Sequence, residues 1–233
     1  RDILSDANDY GLQVIFHGCT LPRGWERMYP NFVASEAALA SENVYFTDYH
    51  AKREAFELTM YPFTRNAVAA FDWGGVLMNR YMSKDNKSRH QRFTGDIFEM
   101  ATAITNQTSV NCVALTPDAL ATLPAFEIEW LRQLPTAWSD LRFLGGYPGK
   151  YFAVARQTTA GKWYAAAINA DPKPLTLTLD LPMFAGKVVK VYADGPKNKG
   201  SLWLTPGMKQ QKVGRNGQLT VTVQPNGGVI VNE

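Results

Sequence analysis

The stretch from Val14 to Glu42, VIFHGCTLPRGWERMYPNFVASEAALASE, gathers His17, Arg23, Arg27, Tyr29, Asn31, Glu36 and Glu42 into one short span. An imidazole and two carboxylates this close are groups that can move a proton or hold a hard cation. A further carboxylate, Asp72, follows an apolar run and comes just before Gly74-Gly75. Each has an ordinary structural reading as well: His17 as a satisfied loop histidine, Glu36 and Glu42 as acids on a helix surface, and Asp72 as a turn former. Six residues along an ideal helix turn through about 240°. Glu36 and Glu42 therefore share a site only if the backbone bends between them.

The elements that must position these groups are legible nearby. Leu12 to Phe16 is apolar apart from Gln13, which predicts a strand buried on both faces of a parallel sheet, ended by His17 and Gly18. At the carboxyl end of a β/α strand, a polar residue followed by a long irregular loop is a site candidate. Upstream, Ile3, Leu4 and Ala7 recur at helical spacing and Gly11 ends that helix. Downstream, Tyr45 to Val68 reads as a loop and short helix, and Asp96 opens a helix with Ile97, Met100, Ala101 and Ile104 on one side. Ser109 to Leu115 reads as a strand, Pro117 as the start of a further helix, and Ala125 to Leu134 as a helix carrying Phe126, Trp130 and Leu134 on one stripe. Strand alternating with helix predicts a parallel sheet with three or four β/α units. After Gly145 to Gly149 come YFAVAR, KWYAAAIN, PLTLTLDLP, KVVKVYAD, SLWLT, QLTVTV and GGVIVNE, short β-rich runs between turn residues that predict an antiparallel sandwich. Its expected role is packing, with Trp163 or Trp203 as a lesser alternative for sugar stacking.

Composition narrows the function classes. At 233 residues, 45% hydrophobic and 12% aromatic, the chain can bury a sizeable core in two units. A net charge of +3 gives no case for nucleic acid or an anionic membrane. The basic run from Arg80 to Arg92, RYMSKDNKSRHQR, lacks interleaved stacking aromatics and reads as a solvated loop. No run approaches the roughly 18 apolar residues of a membrane span. The first residues hold neither an initiator Met nor a secretory signal, which leads us to expect a fragment or a product cut inside a domain. Cys19 and Cys112 suggest neither a metal site nor a disulfide framework, and the apolar run around Cys112 predicts a buried free thiol.

HGCTLPRGWERMYPN, then Glu36, then Glu42, together with TMYPFTRNAVAAFDW from Thr59 to Trp73, resembles the carboxyl-terminal half of glycoside hydrolase family 97. The family comprises calcium-dependent α-glucosidases and α-galactosidases. The resemblance implies an α/β plus all-β chain: the second half of a (β/α)8 catalytic barrel over 1–146, followed by a carboxyl-terminal antiparallel β-sandwich over 147–233. It implies Glu42 as the catalytic general acid, Glu36 and Glu42 as calcium ligands, and substrate contacts from His17 and Asp72, with Arg27, Tyr29 and Asn31 bracing the loop. Glycoside cleavage needs one acid on the leaving oxygen and a second carboxylate that attacks carbon or activates water. Inverting members resemble His-Glu where this chain has His17-Gly18, and glycine supplies no base, so the resemblance points to the retaining branch, α-galactosidase-like before α-glucosidase-like. The retaining nucleophile maps upstream of Arg1, which predicts an inactive fragment whose intact parent is periplasmic or secreted and acts on an oligosaccharide or α-glycoside. The rival reading is a non-catalytic carbohydrate-binding or assembly fragment, since open sheet edges invite self-association or pairing with the missing amino-terminal half.

Overall fold

Asn31 donates to the carbonyls of Leu4 and Leu12 and so fastens helix α1 (Asp2–Asp9) to the long loop after β1 (Val14–Phe16). The computed structural model describes residues 1–19, 21, 23–81 and 90–233; residues 82–89 of the basic run, like residues 20 and 22, lie outside them. Strand β1 pairs in parallel with β2 (Phe32–Ser35), and Ser35 makes a parallel bridge with Phe71. Between Phe71 and the next parallel pair the chain turns through Gly74 and Gly75; β3 (Val76–Leu77) then pairs with β4 (Val113–Ala114). Helices alternate with these strands: α2 (Asp48–Met60), α3 (Arg65–Val68), α4 (Asp96–Thr105), α5 (Pro117–Leu120) and α6 (Ala125–Arg132). None of them is long and apolar enough to cross a membrane.

Strand β1 corrects one expectation. All three of its residues are half-buried rather than buried on both faces, because among the described residues β2 alone flanks it. Cys112 corrects another: it is a free thiol but an exposed one, since it stands just before the two-residue strand β4 at the sheet margin.

The remainder is antiparallel. Strands β5 (Trp138–Tyr147), β6 (Tyr151–Thr158), β7 (Trp163–Asn169), β8 (Leu175–Asp180), β9 (Val188–Gly195), β10 (Thr205–Lys212), β11 (Gln218–Val223) and β12 (Gly228–Asn232) form two layers. Six of them make one sheet in the order β10-β9-β12-β7-β6-β5, and β8 pairs with β11 across it. Leu175, Leu177 and Leu179 face inward between outward Thr176, Thr178 and Asp180, as their alternation predicts. The two faces of the six-stranded sheet bury different clusters. Ala153, Ala155, Ala165 and Ala167 pack under β8 and β11 with Val221 and Val231, while Phe152, Val154, Tyr164 and Ile168 pack on α4.

Two strands depart from the sequence reading, and they are the two edges of that sheet. Strand β5 (Trp138–Tyr147) starts before the 146/147 boundary, so the sheet takes in nine residues that the boundary assigns to the first unit. SLWLT is not a strand; β10 starts only at Thr205 and runs through Pro206 and Gly207. An edge strand has one open flank, and so tolerates Pro, Gly and polar residues that blur the alternation. Trp163 is partly buried against the sandwich core and Trp203 is engaged by the Tyr81 ring and the Arg80 guanidinium, so neither stands out as a stacking platform.

Candidate active site

Parallel pairing brings three strand ends level. His17 follows β1, Glu36 follows β2, and Asp72 follows Phe71 of the bridging segment. The register is fixed by backbone bonds from Glu36 N to Phe16 O (2.8 Å) and from Asp72 N to Ser35 O (3.1 Å). Arg65 locks the end of β2 from behind. Its Nη2 donates to the Ser35 carbonyl at 2.6 Å and hydroxyl at 2.7 Å, and its Nε to the Glu36 carbonyl at 3.1 Å. Nothing in the sequence singled out Arg65, because the Ser35 and Glu36 groups that it clamps lie some thirty positions away.

The chain bends sharply after Glu36, with Ala37 at φ +43°, and Glu42 sits in a separate 3-10 helix, Ser41–Tyr45. No straight helix joins the two glutamates. The Ser41 N–H and hydroxyl both reach the Trp73 carbonyl, at 2.6 and 2.5 Å, which ties that helix to the Asp72 turn. Gly74 lies directly against Glu42: a Cβ there would fall 2.1 Å from Glu42 Oε2, and φ is +89°. Only glycine allows this approach.

Four predicted site residues therefore meet in one place. His17 Nε2 lies 2.8 Å from Asp72 Oδ2, and His17 Nδ1 lies 3.7 Å from Glu36 Oε1. The Gly18 N–H donates to Glu36 Oε2 at 2.8 Å, a contribution from a backbone group that no side-chain pattern announces. Asp72 Oδ1 accepts from Gly74 N (3.1 Å), as a turn former would, while Oδ2 holds the imidazole. The His17 side chain is 47% exposed against 15% for Glu36 and 11% for Asp72, so the mouth of the site opens over the imidazole.

Electrostatics divide the roles. Burial, and then the charges of Glu36 and Asp72, push the Glu42 carboxyl above the ordinary glutamate value, against the opposing effects of its backbone bond and of His17. A carboxyl whose proton is held more tightly in this way is suited to donate it to a leaving group. The hydrogen bond to Asp72 raises His17, against some loss from burial.

One donor atom each from His17, Glu36 and Glu42 lies within 4.8 Å of the others, and Glu42 Oε2 is buried with no hydrogen-bond partner among the described residues. Two carboxylates and an imidazole with donor atoms this close fit a divalent cation. Calcium takes six to eight oxygens, so Glu36 and Glu42 would supply part of its shell and water or substrate the rest.

The comparisons agree with this architecture. Residues 137–232 match the family model described as glycosyl-hydrolase 97 C-terminal, oligomerisation. A probable retaining alpha-galactosidase of Streptomyces bingchenggensis (strain BCW-1) is 27% identical over 231 residues, 97% of this chain and 32% of that protein. The crystal structure of a beta-arabinopyranosidase superposes with a TM-score of 0.91 at 46% identity, covering 100% of this chain and 36% of that one. A glycoside hydrolase family 97 enzyme from Pseudoalteromonas sp. strain K8, in complex with acarbose, shares the fold with a TM-score of 0.81 at 19% identity, over 98% of this chain and 36% of that one. The chain thus spans about a third of the length of these relatives. Residues 137–232 thus match the carboxyl-terminal model of glycoside hydrolase family 97, and the chain as a whole shares the fold of part of an enzyme of that family.

Proposed function

We propose that this chain supplies the general-acid side of the active site of a retaining, calcium-dependent exo-α-glycosidase. The observation that carries the reading is Glu42, a carboxyl raised by burial and set beside Glu36 and His17 where parallel strands end. The parallel strands are read as the second half of a (β/α)8 barrel, whose functional groups cluster at the carboxyl ends of its strands. Glu42 gives its proton to the leaving glycosidic oxygen. Glu36 and Glu42 would hold calcium, which when bound offsets charge at the reacting centre. His17 stands at the open mouth, where sugar hydroxyls enter.

Retention needs a second carboxylate about 5 to 5.5 Å from the acid, to attack the anomeric carbon. Asp72 does not fill that role, since both its oxygens are engaged, and Gly18 has no side chain. The nucleophile comes from a barrel portion that this chain does not contribute. An α-galactopyranoside and a β-L-arabinopyranoside share their configuration from C1 to C4 and differ by one hydroxymethyl group. The two named relatives, at 27% and 46% identity, favour a pocket for that shared ring.

The test is hydrolysis of aryl α-galactoside, β-L-arabinopyranoside and α-glucoside, with and without calcium. It compares this chain alone with a longer polypeptide in which a family 97 amino-terminal portion precedes it. We expect no turnover from the chain alone, and calcium-dependent turnover from the longer form that Glu42→Gln abolishes. Turnover by the chain alone would place the second carboxylate within these residues. The sandwich adds a second role, self-association, favoured by the oligomerisation description of the family model that covers it; light scattering that finds only monomer would remove it.

A further inference from the structure

The geometry points to a second binding site, a cleft of about 340 Å3 between α3 and the β5–β6 edge of the sandwich, that takes a small organic carboxylate carried on an apolar ring. Arg156 supplies the cation, and Phe63, Phe143 and Phe152 supply the wall for the ring. None of His17, Glu36, Glu42 and Asp72 lines this cleft, so the inference stands apart from the glycosidase reading.

Arg156 is 5% exposed, and burial alone, with no neighbouring charge to oppose it, pushes its guanidinium down to about 10. Its Nε donates to the Ile104 carbonyl near the end of α4 (2.6 Å) and its Nη1 to Gln107 Oε1 (3.2 Å). Nη2 has no partner among the described residues, yet it is not sealed from solvent. Arg65 and Arg92, the other buried arginines among the described residues, differ from it. Each has Nε, Nη1 and Nη2 all engaged, Arg65 by carbonyls and the Ser35 hydroxyl, Arg92 by carbonyls and Asp96. Capping α4 explains the Nε of Arg156. It does not explain a buried charge left without an anion, which is costly unless it is paired.

Gln107 is set as a second donor. Asn66 pins its backbone, with Oδ1 accepting from Gln107 N (2.6 Å) and Nδ2 donating to Gln107 O (3.0 Å). Because Gln107 Oε1 accepts from the guanidinium, its amide nitrogen is left to donate. One guanidinium and one amide match the single charge and planar oxygens of a carboxylate better than the higher charge of a phosphate. The rest of the lining sets the body of the ligand. Phe63, Phe143 and Phe152 stand with ring centroids 5.2 to 6.2 Å apart. Phe143 is 55% exposed, so aromatic surface is open in the same cleft as the unpaired charge. Edge-to-face and offset contacts with such rings favour an aryl group.

The full chain is titrated by calorimetry with sodium benzoate, benzyl alcohol and sodium acetate, for wild type, Arg156→Gln and Phe143→Ala, with circular dichroism and light scattering on each. Benzoate is expected to saturate wild type with a dissociation constant of about 1 mM or below. Benzyl alcohol, which lacks the charge, and acetate, which lacks the ring, should each bind at least about tenfold more weakly. Arg156→Gln should weaken benzoate by about tenfold or more, and Phe143→Ala by about fivefold. Phe143 is exposed enough that its variant keeps the test intact even if Arg156→Gln fails to fold. Absence of saturable benzoate binding by wild type overturns the inference, as does benzyl alcohol or acetate binding as tightly as benzoate. A self-associated chain that Phe143→Ala returns to monomer, without benzoate binding, assigns the cleft to a second copy and overturns it as well. So does loss of benzoate binding when a family 97 amino-terminal portion precedes the chain, because that portion then fills the cleft.

Discussion

Glu42 and His17 are shifted upward for opposite reasons, and each shift can be read separately. The carboxyl is raised mainly by loss of water, the imidazole by a specific acceptor. In the longer enzyme, Glu42→Gln should lower kcat by about 10² to 10⁴ on substrates with poor leaving groups. The loss should be much smaller for an activated aryl group that needs no proton. An equal loss on both would mean that Glu42 does something other than protonate the leaving oxygen. For His17 the measurement is nuclear magnetic resonance titration, simplified because the chain has only three histidines. The wild-type imidazole should titrate above the usual histidine value, and Asp72→Asn should bring it down, since the hydrogen bond to Asp72 is the largest cause of the rise. An unchanged midpoint would show that Asp72 does not set the state of the ring.

At the scale of elements, the joint between the two parts of the chain is a helix end held by a distant strand. Asp194 in β9 is 1% exposed, and its carboxylate accepts from Ile97 N (3.1 Å), Phe98 N (2.8 Å) and Gly228 N (2.9 Å). It thereby satisfies amino-terminal N–H groups of α4 that have no partner within the helix. A Cβ on Gly95 would lie 2.2 Å from this carboxylate, so glycine is what lets the cap approach. Asp194→Ala leaves three buried donors unpaired and should lower the unfolding free energy by about 3 kcal/mol or more, with Asp194→Asn intermediate, measured by urea denaturation. A loss under about 1 kcal/mol would mean that the joint is held by apolar packing alone. This cap was not legible in the sequence, because its partner lies 97 positions away. What could be read was whatever burial imprints locally: the α4 stripe, the inner strands β6, β7 and β12, and a histidine at a strand end. Edge strands β5 and β10, the Arg65 clamp and the Gly18 N–H carry no local pattern, since their determinants are an open flank or a partner distant in sequence. Glu36 and Glu42 stood out only through the family resemblance, since their spacing alone puts them on different faces of a helix; the bend that unites them required Ala37 to adopt a positive φ.

Across the whole molecule, buried carboxyls set an unusual pH response. Behind the helix that bears Glu42, Thr94 Oγ1 contacts both Glu54 and Glu99, which are 2% and 0% exposed. One hydroxyl has one proton to give, so the second contact requires a proton on a carboxyl. Burial raises Glu54 and pushes Glu99 up to about 7, and burial pushes Glu127, whose oxygens have no partner among the described residues, up to about 8. All three bind protons more tightly folded than unfolded. The stability they contribute is full below the ordinary glutamate value of 4.5 and is lost as pH rises through about 7 to 8. Asp96 is shifted the other way by Arg92 and Arg80, so its stability is lost only as pH falls through a value below the usual aspartate range, outside this window. The urea midpoint should therefore fall between pH 5.5 and 8, by the equivalent of about 2 kcal/mol. Glu54→Gln keeps a donor toward Thr94 and cannot ionise. It should flatten that slope and match or exceed wild type at pH 8. A wild-type midpoint that rises toward pH 8, or a variant slope equal to that of wild type, would mean the pair is ionised in the folded chain and that Arg92 alone, fully buried beside it, balances its charge.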